Sequence, residues 1–267
     1  MRSVRMVGIV LALLVSAAAQ PFRSAQQISP DELFRRGMNT FAGANKDDFN
    51  AVADIRRSAD AGYAPAQSVI GYLYENGIYI SQSQSEAVQW YRKAAKQGDS
   101  IAQYSLGRAY YIGIGVQSDK AEAQKWLKSA SDQGNPFAQY LLGRLLEERD
   151  YTAAPAEYRK AAEQGIPLAQ YRLGLMMRDG RGTPVDKSEA YMWLLLSFEA
   201  GVKAAEIPLR ELESDLGTPG VQTAKNKAHD LERTVIRSVN AHGCDDWTGE
   251  FDEVPTVPPP DTQRFCR

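Results

Sequence analysis

The chain has 267 residues with 31 Lys and Arg against 33 Asp and Glu, a net charge of −2. So even a balance excludes a general nucleic-acid binder, which needs many unbalanced cations. The 43% hydrophobic content can fill a core, while two Cys and two His are too few for a multi-ligand zinc site or a catalytic centre built on histidine.

The first 19 residues read as a secretory signal. Arg2 and Arg5 form a positive start, Val7 to Val15 is apolar but short for a bilayer, and Ala17-Ala18-Ala19 supplies small residues for cleavage before Gln20. The rival reading is an uncleaved anchor. Removal of residues 1–19 takes away two Arg and no acid, leaving a charge of −4. No other stretch is long and apolar enough to be a membrane helix, so no span is expected after cleavage. Residues 20–30 are expected to be a linker. The expected location is periplasmic or secreted.

From residue 31 a repeat takes over. Gly71, Gly107, Gly143 and Gly174 are spaced by 36, 36 and 31 residues. Gly62, Gly98, Gly134, Gly165 and Gly201 keep the same register, and Ala66-Gln67, Ala102-Gln103, Ala138-Gln139 and Ala169-Gln170 each follow four residues after such a Gly. Trp90, Trp126 and Trp193 lie eight residues before the next one. Three residue types sharing one spacing mark an internal repeat.

Each unit reads as two helices. The first carries small and apolar residues on one narrow stripe, as in Ala102, Leu106, Gly107 and Tyr110. A glycine inside it costs about 1 kcal/mol relative to alanine, so its regular use predicts a partner helix in close approach. Gly113-Ile114-Gly115 and Gly180-Arg181-Gly182 predict left-handed turns. Ser83, Asp119 and Asp186, each three residues before Glu86, Glu122 or Glu189, predict the cap of the second helix as a capping box. That helix should end at Gly98, Gly134 or Gly201. Pro65, Pro136 and Pro167 suit the start of the next first helix.

One short hairpin cannot bury both faces, so the units must stack. Five are expected, roughly 31–61, 62–97, 98–133, 134–164 and 165–200, followed by two closing helices within 201–241. Leu209, Leu212 and Leu216 mark the first of these. Ala228, Leu231, Val235 and Val239 mark the second, after the break at Gly217-Thr218-Pro219-Gly220. Unit 134–164 is five residues short: the Gly-x-Gly turn is missing, Asp150 is the cap candidate, and Glu157 stands where the Trp is elsewhere. It reads either as a bend in the superhelix or as a neutral loop deletion.

The pattern Gly-x-x-x-Ala-Gln-x-x-Leu-Gly-x-x-Tyr-x-x-Gly-x-Gly-Val followed by Ala-x-x-Trp resembles the Sel1-like repeat, a relative of the tetratricopeptide repeat. Unit 98–133 carries it best, with Gly98, Ala102, Leu106, Gly107, Tyr110, Gly113, Gly115, Val116, Ala123 and Trp126. The resemblance covers about residues 60–200, and loosely 31–241. It implies an all-α, right-handed solenoid of helical hairpins that holds other proteins as an adaptor or regulator. Some exported members carry a Cys pair per repeat; here no repeat contains Cys.

In tetratricopeptide-like solenoids the first helices line a concave groove. The positions expected to face it are Ser68, Tyr72 and Glu75, then Tyr104, Arg108 and Tyr111, then Tyr140, Arg144 and Glu147, then Tyr171, Leu175 and Arg178. Tyr72, Tyr104, Arg108, Tyr111, Tyr140, Arg144, Tyr171 and Arg178 are the candidate partner-binding residues, because Tyr and Arg dominate interface hot spots and Arg pairs with carboxylates. The competing reading is that the Tyr after each Ala-Gln packs between helices.

Residues 242–267 form an acidic, Pro-rich tail bracketed by Cys244 and Cys266. In an exported protein the expected state is a disulfide, worth about 3 kcal/mol in the loop-entropy account. Metal binding by His242, Cys244 and Cys266 is the rival, with no clear fourth ligand. By charge, the tail is also a candidate competitor for the groove.

No serine-hydrolase, β-lactamase, zincin or P-loop motif occurs. The expectation is a non-enzymatic protein without cofactor or metal. The partner is expected to be a protein: a membrane sensor kinase, as in exopolysaccharide control by periplasmic proteins of this shape, or an envelope complex. The alternatives are an envelope assembly factor, a cell-wall or glycan binder and, further off, an envelope hydrolase. The disulfide is checked by a thiol titration of the denatured, non-reduced protein: no reactive thiol is expected, and two would overturn the pairing.

Overall fold

The computed structural model describes residues 28–42 and 48–240. The proposed signal, most of the linker and the Cys244–Cys266 tail lie outside the described residues. The helices are α1 (Pro30–Ala42), α2 (Asp48–Asp60), α3 (Ala64–Asn76), α4 (Gln84–Lys96), α5 (Ser100–Ile112), α6 (Lys120–Asp132), α7 (Pro136–Glu147), α8 (Ala154–Glu163), α9 (Pro167–Asp179), α10 (Lys187–Glu199) and α11 (Glu206–Asn240), with a short 3-10 turn at Lys203–Ala205. Among the described residues there is no strand. Each helix packs on its neighbours in sequence, and α5 also meets α7, so the pairs stack as a solenoid.

The close approach predicted at the helical glycines is present. A Cβ placed at Gly71 would stand 2.6 Å from the Tyr91 ring, at Gly107 2.8 Å from Leu127, at Gly143 2.7 Å from the Tyr158 ring and at Gly174 2.7 Å from Leu194. Gly37 meets Ile55 of α2 in the same way. The residue that fills the missing side chain is therefore Tyr in units 62–97 and 134–164, and Leu in the two units that follow them.

Between first and second helix, Gly115 adopts φ +69°. A side chain there would fall on the Gln84 carbonyl, so this turn is seated on the start of α4 in the preceding unit. Gly182 is seated likewise on the Tyr151 carbonyl. Unit 134–164 has lost its own turn, yet its link still supports the turn of the next unit, so the seam there is occupied. Asp150 does not cap α8. Its carboxylate accepts from the Thr152 N–H at 2.9 Å and from the Thr152 hydroxyl, and Ala153 stands at the cap position without a side-chain bond. Glu157, in the Trp place, is buried and accepts from Ser131 Oγ and Lys160 Nζ, each at 2.6 Å.

The predicted caps form. Asp119 accepts from the N–H groups of Ala121 and Glu122, Asp186 from Glu189, and Ser83 from Glu86. The acids differ from the capping-box expectation: Glu122 and Glu189 accept from the indole N–H of Trp126 and Trp193 one turn on, at 3.0 and 3.3 Å. The closing segment breaks at Gly217, with φ 61° and ψ 174°, and buries Leu209, Leu212, Ala224 and Ala228.

A buried amide ladder ties the units together. The side-chain NH₂ of Gln67, Gln103, Gln139 and Gln170 donates to a carbonyl of the preceding second helix: Ala59, Ala95, Ser131 and Ala162. The oxygens of the first three accept from Gln97, Gln133 and Gln164 at 2.7–2.8 Å. At the fourth, the repeat-equivalent residue is Ala200, and Gln170 Oε1 is buried without a partner. Ala200 has nearly the backbone angles of the three donors. The substitution Ala200→Gln should therefore complete the ladder and raise stability by about 1 kcal/mol; urea unfolding of the two proteins measures it, and no gain would show that Gln170 does not lack a donor.

Candidate functional site

The first helices α3, α5, α7 and α9 carry the eight candidate residues at corresponding positions. Their surroundings divide them. Tyr104 and Tyr140 are 1% and 3% exposed, so the expectation that they face a partner is corrected: both are core. Tyr104 packs on Phe137 of the next unit at 5.9 Å between ring centroids, and Tyr140 on Tyr158 at 6.0 Å. The physical reason is stacking. The side chain one step after the buried Gln is covered when the following unit is laid against it.

Arg108 is corrected as well. It is 8% exposed and forms an ion pair with Glu75 of the preceding unit. Glu75 also accepts from the Tyr91 hydroxyl at 2.6 Å. Burial holds the Arg108 guanidinium below its usual pKa. Its Nε is buried without a partner beside a small cleft lined by Glu75, Gln84, Tyr91, Ile112 and Ile114. A guanidinium so enclosed and already paired is a structural link between units 62–97 and 98–133 rather than a contact for another molecule.

Tyr72, Tyr111, Arg144, Tyr171 and Arg178 are half-buried and remain on the face. Arg178 is balanced by Asp179 at 2.7 Å and by Glu211 of α11 at 3.0 Å, so it joins the last unit to the closing helix. The Tyr111 hydroxyl donates to Glu148 at 2.6 Å. Burial and that carboxylate raise the Tyr111 pKa to about 12, against the opposing pull of Arg144. Glu148 is also held by Lys120, and its pKa lies below the usual carboxylate value for that reason. Burial raises the pKa of Tyr140, one turn before Arg144 on α7, against the opposing pull of Arg144. No carboxylate among the described residues lies within 4.0 Å of it.

The sequence reading missed the internal partners. Glu75 and Glu147 each lie four residues after the helical glycine, and only where Tyr91 or Tyr158 fills the glycine gap. Tyr158 donates to Glu147 at 2.6 Å, and Arg172 of the next unit stands 3.7 Å from the same carboxylate. That pairing of Tyr with Glu was the available signal. Among the described residues no group of three or more His, Cys, Asp or Glu side chains could hold a metal ion, and no helix is long and apolar enough to cross a membrane.

The division into core and face residues has a measurable consequence. Tyr104→Ala should cost about 3–5 kcal/mol in chemical denaturation because it leaves a ring-sized void. Arg144→Gln should stay within about 0.5 kcal/mol of the parent, as expected for a half-exposed group with no buried charge to strand. Equal losses would place both in the core.

Comparison with known proteins agrees with this geometry. The Sel1 repeat family profile matches residues 64–99, 100–135, 136–155, 158–166 and 167–202. A Sel1 repeat protein from Oxalobacter formigenes is 37% identical, with a TM-score of 0.61, over 69% of this chain and 56% of that one. The protein c5321, described as a protective antigen present in uropathogenic Escherichia coli strains displaying an SLR fold, is 27% identical, with a TM-score of 0.67, over 79% of this chain and 46% of that one. The match thus spans about half the length of both structures. No curated protein gave a match. The spacing of the glycines, the paired helices that stack from it and the matched repeats lead to one conclusion: the chain belongs to the Sel1 repeat family, a helical repeat scaffold consistent with protein–protein interaction.

Proposed function

We propose that this protein is an exported, non-enzymatic adaptor that holds a partner protein in the cell envelope, in a regulatory role. The partner best matched to that reading is the periplasmic domain of a membrane sensor kinase, in control of envelope or exopolysaccharide functions. The observation that carries it is the row Tyr72, Tyr111, Arg144 and Tyr171, Arg178 being engaged by Asp179 and Glu211. These hot-spot residue types stay half-exposed along the first helices of a scaffold whose buried side chains lock it. Export rests on Arg2, Arg5, the Val7–Val15 run and Ala17-Ala18-Ala19.

An envelope assembly complex is the second reading and uses the same face. A glycan binder needs aromatic rings open in series, and the burial of Tyr104 and Tyr140 removes two of the five candidate tyrosines. The test is a photo-crosslinking residue placed at Tyr171 in the full-length protein, illuminated in cells and followed by mass spectrometry. A sensor-kinase ectodomain as the cross-linked product is expected. An assembly complex would redirect the partner assignment, and a cross-link to saccharide alone, or to nothing, would overturn the adaptor reading.

A further inference from the structure

Two corresponding seams on the first-helix face differ in one chemical respect. Arg108 on α5 and Arg144 on α7 are repeat equivalents, 36 residues apart, as are Glu75 on α3 and Tyr111 on α5. In the first seam the arginine is covered by the Glu75 carboxylate, which Tyr91 holds from its other oxygen. In the second seam Leu127 fills the glycine gap, offers no hydroxyl, and Tyr111 stands where the carboxylate was. Tyr111 cannot replace it. The phenol is neutral and is turned toward Glu148.

The carboxylates around Arg144 have closer partners. Glu148 is held by Lys120 and Tyr111 and feels Arg144 only at longer range, and Glu147 is held by Tyr158 and Arg172. One turn earlier on the same helix, Tyr140 offers Arg144 only a neutral phenol. One positive charge is left on a half-exposed side chain, beside two tyrosines, in a place whose repeat equivalent shows what fits it. We propose that the Arg144 slot, bordered by Tyr111 and Tyr140, receives an Asp or Glu side chain of a partner protein, in the position that Glu75 occupies on Arg108. This rests on the adaptor reading and gives the partner a chemistry: an acidic segment whose carboxylate completes the second seam. A guanidinium suits such a group, because charge-assisted bonds to a carboxylate are directional and stronger than neutral ones.

The probe is a random dodecapeptide library displayed on phage and panned against the immobilised full-length protein. Selected peptides are then made with blocked ends. Enriched sequences should share an Asp or Glu, and changing that residue to Asn or Gln should weaken binding about tenfold or more. Arg144→Gln should do the same, while Arg178→Gln should stay within about twofold, since its charge is spent on Asp179 and Glu211. Tyr111→Glu should also abolish binding with the fold retained by circular dichroism, because it supplies the internal carboxylate that the first seam has. Peptides without a shared acid, recognition of a free C-terminus instead of a side chain, unaltered binding to Arg144→Gln, or no enrichment would each overturn the proposal. The adaptor reading is scored separately. If Arg144→Gln still cross-links its envelope partner as the parent does, the slot is refuted and the adaptor stands; if the parent cross-links no protein, the adaptor reading falls.

Discussion

Everything in this structure hangs on the contact between two helices at a glycine without a side chain. In each hairpin the second helix drops one residue into that gap: Ile in the first, Tyr or Leu in the four that follow. A Leu gives only packing. A Tyr brings a hydroxyl to the far side of the first helix, where Glu75 or Glu147 accepts it. That carboxylate is then fixed for an arginine of the next unit. A choice made inside one hairpin thus sets the electrostatics of the seam beside it, and through the seam the character of the exposed face.

Stacking adds a second, directional constraint. Apolar packing alone tolerates sliding between helix pairs, because dispersion and burial are weakly directional. The buried Gln of each Ala-Gln pair is not tolerant: it must reach one carbonyl behind it and accept one amide from its own unit. Buried amides left unpaired are costly, so the ladder holds the units in register. At the first unit Ala61 stands where the ladder would need Gln, and Ser58 bonds the Pro30 carbonyl. At the last unit Ala200 stands there, and Ser197 bonds the Pro167 carbonyl. The ends of the array are chemically marked in the same way on both sides.

The face left over by these constraints is narrower than the repeat pattern suggests. Position by position, Tyr104, Tyr140 and Arg108 look like Tyr171 and Arg144, since all lie outside the apolar stripe. Only the three-dimensional stack separates those covered by the next unit from those that are not. Arg178 is a further case: besides the adjacent Asp179, an acid that balances it lies 33 residues away on the closing helix. What remains for a partner among the described residues is a row of half-exposed tyrosines with Arg144, whose neighbouring carboxylates have closer partners, near its middle. A scaffold of this kind has little loop freedom on that face, so binding there would lose little entropy in ordering it.

Length, register, hairpins, caps and the near approach at each glycine were legible in the sequence, because each is a local rule repeated four or five times. Repetition makes even weak propensities readable. The capping acids were placed correctly but their role was not, since an indole one turn away competes for the same carboxylate. The shortened unit could not be judged from its length, because the Gly182 turn that seats on it belongs to the next unit. Which candidate tyrosines are core and which candidate arginines are ion-paired within the protein depended on residues 16 to 37 positions apart in the chain. The sequence by itself determined the helix pairs and their order; only the tertiary stack decided what they leave exposed, because exposure is settled by the neighbour that covers a side chain and not by the helix that carries it.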